Sequence, residues 1–67
     1  MKKGMTFEQA MEAMKKNNWA VYRKDAYTRR DGVKVIEMAI IRKNFRITSI
    51  IFEDNKIVAM ERVSASF

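Results

Sequence analysis

Sixty-seven residues with no Cys and no His exclude a disulfide framework, a zinc site of the Cys/His type and a triad built on a His base. Fourteen Lys and Arg against eight Asp and Glu leave a net charge of +6, a bias that attracts anionic partners: nucleic acid, a nucleotide or an acidic protein. A chain this short buries only about 60% of its unfolded surface, so close packing or oligomerisation has to supply its stability.

In chain order, Met1-Lys2-Lys3 is a basic lead. Glu8 and Glu12 fall where a signal peptide would need its apolar stretch, and no apolar run approaches the roughly 20 residues that span a bilayer. These features predict a cytoplasmic protein with no membrane partner. Residues 1–4 are expected to fray. Thr6-Phe7-Glu8-Gln9 matches a capping box, in which the Thr6 hydroxyl accepts from the Gln9 amide and the Gln9 side chain reaches back to the Thr6 amide. Phe7, Ala10, Met11 and Met14 then recur at helical spacing. Acidic Glu8 and Glu12 early, and Lys15 and Lys16 late, suit the helix dipole. Asn17-Asn18 is a plausible stop, because Asn tolerates the left-handed conformation. The spacing predicts a helix over residues 7–17, with its Met side facing the core.

Four β-rich runs follow, over residues 19–29, 33–42, 45–53 and 56–64. Asp31-Gly32, Lys43-Asn44 and Asp54-Asn55 separate them as two-residue turns. The expected fold is α+β, a single domain over residues 1–67: an N-terminal amphipathic helix on a three- to four-stranded antiparallel meander. Pairing Arg30 with Val33, Arg42 with Phe45 and Glu53 with Lys56 sets a register, and the register sorts the faces. The helix side is then expected to hold Val21, Tyr27, Ile36, Met38, Ile40, Ile47, Ile51, Val58 and Met60. The opposite side would hold Tyr22, Val35, Ala39, Ile41, Ile50, Phe52, Ile57, Ala59 and Val63. One short helix cannot cover both sides, and a bare apolar face implies a partner. Ile41, Ile50, Phe52, Ile57 and Val63 are therefore the expected interface of a homo-oligomer.

For function, the basic and aromatic residues interleave most densely in the first run. Trp19, Tyr22, Arg23, Lys24, Tyr27, Arg29 and Arg30 lie close together there, with Lys43, Phe45 and Arg46 expected nearby. Rings that stack on bases and cations that hold phosphates are what nucleic-acid and nucleotide sites require. Tyr22, Arg23, Lys24, Arg29, Arg30 and Arg46 are the expected partner-binding residues. No catalytic residue, metal ligand or cofactor site is expected. Ser49, Ser64 and Ser66 have no activating partner in the sequence, and Gly4 and Gly32 make no phosphate-cradling loop.

Phe7-Glu8-Gln9-Ala10-Met11-Glu12-Ala13-Met14-Lys15-Lys16, followed by Val21-Tyr22-Arg23-Lys24, resembles the opening of small phage proteins of the Thoeris anti-defence family. The resemblance implies a small oligomeric α+β protein of the host cytoplasm that sequesters a nucleotide-derived immune signal without hydrolysing it. It also implies a contact through Arg23. The sequence thus points to a non-catalytic binding or inhibitor module, with a nucleic-acid-binding protein using the first strand as the alternative.

Overall fold

The computed structural model describes residues 1–42 and 46–63, and only the backbone of Val63. The elements are α1 (Phe7–Asn17), β1 (Ala20–Thr28), β2 (Lys34–Ile41), β3 (Ile47–Glu53) and β4 (Lys56–Val63). The strands form one antiparallel sheet in the order β1-β2-β3-β4, with α1 packed on one face. This is the α+β architecture expected.

The capping box closes as the residue types dictate. The Gln9 amide donates to Thr6 Oγ1 at 3.2 Å, and the Thr6 amide donates to Gln9 Oε1 at 3.0 Å. At the other end Asn18 takes a left-handed conformation (φ 58°). Its amide donates to the Lys15 carbonyl, and the Trp19 amide donates to the Met14 carbonyl at 3.0 Å. That is a Schellman closure, which satisfies the last helical carbonyls and turns the chain sharply. The segment before the helix is tied to β4 in the structure. The Gly4 amide donates to the Ile57 carbonyl, and the Ile57 amide donates to the Met5 carbonyl, both at 2.9 Å. Met1 and Met5 pack on the core.

All three expected registers are corrected, the third only beyond its turn. At the β1–β2 connection the Arg29 amide donates to the Val33 carbonyl and the Gly32 amide to the Arg29 carbonyl. Only Gly32 has positive φ (86°), so the loop is a three-residue type I turn ending in a G1 bulge, not a type I′ turn. Tyr27 therefore opposes Val35 instead of Ile36, and Asp25 opposes Glu37 instead of Met38. Across the second connection Ile41 pairs with Ile47, and the Arg42 amide donates to the Arg46 carbonyl. The expected Lys43-Asn44 turn, Phe45 and Ser64 lie outside the described residues. The flanking pairs nevertheless leave residues 43–45 between them instead of residues 43–44. That one-residue difference turns every side chain of β3 over. The Asp54-Asn55 turn is as expected, with φ of 47° and 69° and Glu53 paired to Lys56. One step later the register shifts at Ile51/Phe52, so that Ile51 opposes Ala59 and Ser49 opposes Glu61.

The core follows from this register. Ile36, Met38 and Ile40 of β2 align with Phe52, Ile50 and Thr48 of β3. With Ile57 they meet Ala10 and Met14 of α1. The Phe7 and Phe52 rings lie 5.4 Å apart, centroid to centroid. Ile50, Phe52 and Ile57 are thus buried within one chain and are not an exposed interface. Ile47, Ile51 and Val58 are not under the helix. Of the expected interface residues, Ile41 keeps its place on the open face, and the side chain of Val63 lies outside the described residues. The shortest dimension of the fold is 16 Å, the depth of one helix layer on one sheet layer. The described chain therefore leaves the second face of the sheet uncovered.

Candidate functional site

The expected binding residues do not form one patch. β1 is an edge strand, and all of it is exposed. Its side chains alternate between the faces, with a bulge between Val21 and Arg23 that accommodates Tyr22. Arg23 lies on the open face and pairs with Asp25 at 2.9 Å. Lys24 lies on the helix side, its Nζ 4.9 Å from the centre of the Phe7 ring. Arg29 is held at the turn end by Asp31 and Glu53, both at 3.2 Å. Arg30 is exposed in the turn itself, and Arg46 is exposed at the opposite end of the sheet.

The turn end is closed electrostatically. The Val33 amide and then the Arg29 guanidinium hold the Asp31 carboxyl below its usual range, and the hydrogen bond to Asp31 raises Arg29 in turn. The Tyr27 hydroxyl donates to Glu37 Oε1 at 3.2 Å. Desolvation, reinforced by that hydrogen bond, raises the phenol. Val35, only 3% exposed, lies between the strands that the Arg29–Glu53 pair bridges.

The other end is different. The Schellman closure delivers Trp19 over the far end of the sheet. There Ile40, Thr48 and Arg62 stand in one row across β2, β3 and β4. The Arg42 guanidinium lies 4.6 Å from the centre of the Trp19 ring, a cation–π contact. Trp19, Ile40, Arg42, Thr48, Met60 and Arg62, with Met1 and Glu61, line a cleft of about 280 Å³. Thr48 is the one buried polar residue among the described residues. Lys15 and Lys16 lie in the last turn of the helix, and Arg46 pairs with Arg42 through the backbone. Among the described residues the ion pairs are Arg23–Asp25, Arg29–Asp31 and Arg29–Glu53, so none lies at this end.

A flat aromatic wall, two guanidiniums, a hydroxyl and an apolar floor can hold a planar ring that carries an anionic group. Arg presents a planar fork of donors that matches phosphate or carboxylate, and an indole face stacks on heteroaromatic rings. Arg42, Thr48 and Arg62 are not among the expected binding residues. Their common side of the sheet follows only from the correct β2–β3 register. Among the described residues no group of three or more acidic, His or Cys side chains is placed to hold a metal, and no helix is long and apolar enough to cross a membrane. Compared with protein-family models, curated proteins and solved structures, the chain matches none.

Proposed function

We propose that this chain is a small non-catalytic binding module whose site is the Trp19 cleft, and that its ligand is a nucleotide-like anion. The observation that supports this reading is Arg42 stacked on Trp19 beside Arg62 and Thr48, at the end of the molecule where, among the described residues, neither arginine forms an ion pair. The N-terminal resemblance supports a sequestering, inhibitory role in a host cytoplasm, with the ligand held and not turned over. Trp19 is the sole Trp, so its fluorescence reports on the cleft directly. Titration with ADP should quench it saturably, and Trp emission unchanged up to ~1 mM, the weak end of the affinity scale, would remove the reading.

The second reading is single-stranded nucleic-acid binding along β1, favoured by the exposure of that strand and of Tyr22 (64%) in particular. It predicts oligonucleotide affinity that falls steeply between ~50 and ~200 mM salt. ADP binding in one cleft should show a much shallower salt response, because fewer phosphates are neutralised.

A further inference from the structure

One row on the sheet face opposite the helix is self-complementary. Arg23, Ala39, Ser49 and Glu61 stand in one row, one residue from each strand, in the order β1 to β4. The row is basic at one edge, acidic at the other and built of small side chains in the middle. A shallow hollow of about 240 Å³ lies over it, lined by Arg23, Asp25, Glu37, Ala39 and Ser49, with Met38. The next row includes Ile41 and Ile47.

We infer that this face packs on the same face of a second copy, about a two-fold axis that runs parallel to the strands. Such an axis places β1 over the partner copy's β4 and keeps each row at its own height. Arg23 then meets Glu61 of the second copy, and the reciprocal pair forms at the other edge. Ala39 meets Ser49, where small side chains let the sheets approach. Ile41 meets Ile47. A two-fold axis in the same plane but perpendicular to the strands, passing through this row, would set Arg23 on Arg23 and Glu61 on Glu61, and like charges so placed are strongly unfavourable. Stacked sheets cross at about 30°. That tilt displaces the outer strands by only about 4 Å at ordinary strand spacing, which an Arg side chain spans.

The area is sufficient. Four strands of about eight residues cover roughly 500 Å² per copy. Two copies reach about 1,000 Å², the lower bound for a specific interface. The Arg23–Asp25 pair within one chain is no obstacle, because both side chains are largely exposed (73% and 49%) and such pairs are weak. Apart from Glu61, which also borders the cleft, this interface lies across the sheet from the core that supports the Trp19 cleft. Its failure would leave the ligand reading standing, and the reverse holds too.

Sedimentation of the full chain tests it. At ~100 μM, generous for an interface of this class, the wild type should be a dimer. Arg23→Glu should weaken the dimer roughly tenfold or more by setting two acids together, and adding Glu61→Arg to it should restore the dimer. Ala39→Lys, in the centre of the row, should give a monomer with an unchanged circular dichroism spectrum. A monomeric wild type, a dimer that survives Ala39→Lys, or a double swap no better than Arg23→Glu alone would each overturn the inference.

Discussion

The two ends of this small sheet treat charge in opposite ways. At the turn end Arg29 is shared between Asp31 and Glu53, Tyr27 is tied to Glu37, and the helix start is fastened to the β3–β4 turn through Asn55, whose Oδ1 accepts from the Phe7 amide. At the Trp19 end Arg42 lies on an aromatic ring, Arg46 pairs opposite it and Arg62 lines the same cleft, with no ion pair there among the described residues. A net charge of +6 therefore says little by itself. Cations engaged locally hold a turn, and cations left open around a ring are available to a ligand.

Both ends hang on one core, and the largest expected effect lies there. Phe52→Ala should cost about 3–5 kcal/mol, and denaturation followed at Trp19 and by far-ultraviolet circular dichroism should lose both ends together. A cost below ~0.5 kcal/mol, usual for a surface change, would mean that β3 faces the other way. Next come the cations. Arg42→Ala and Arg62→Ala should each weaken ADP binding roughly tenfold or more by removing charge-assisted hydrogen bonds, with little change in melting temperature. Arg29→Ala should leave ADP affinity unaltered, and equal losses at both ends would dissolve the contrast. Thr6→Ala removes one acceptor of the capping box at the turn end and should cost about 1 kcal/mol. An unchanged denaturation midpoint for that variant would show that the box contributes nothing.

The smallest effect concerns pH. The Asp31 carboxyl is depressed in the folded chain. Its contribution is therefore present above the ordinary carboxylate range and lost as pH falls through the lowered value. Asp31→Asn should flatten part of the fall in melting temperature on acidification below about pH 4 and change nothing near neutrality. A variant that follows the wild-type curve throughout would remove Asp31 from the account.

Much of the fold was legible. The Thr6/Gln9 box, the Met stripe, the Asn18 stop and the Asp54-Asn55 turn are local devices, and local residue chemistry determines them. The faces of β3 were not legible from turns alone, because a loop longer by one residue inverts the whole strand. The strand's own polarity held the answer. Ser49 and Glu53 share one side of it, while Ile50 and Phe52 share the other, and the larger apolar pair belongs under the helix. The candidate cleft depended on the same step, since Thr48 reaches the Trp19 side only in the observed register. The basic, aromatic first strand drew notice in the sequence through its density. As a strand it splits that density between two faces.

The contrast between the ends is tested most directly by mapping amide shifts in a proton–nitrogen correlation spectrum during titration with ADP. The account predicts that shifts concentrate at Asn18, Trp19, Ile40, Arg42, Thr48 and Arg62, with the Trp19 indole N–H among the largest. The amides of Arg29 to Lys34 and of Glu53 to Lys56 should stay in place. Shifts centred on the turn end, or spread evenly along β1, would contradict it.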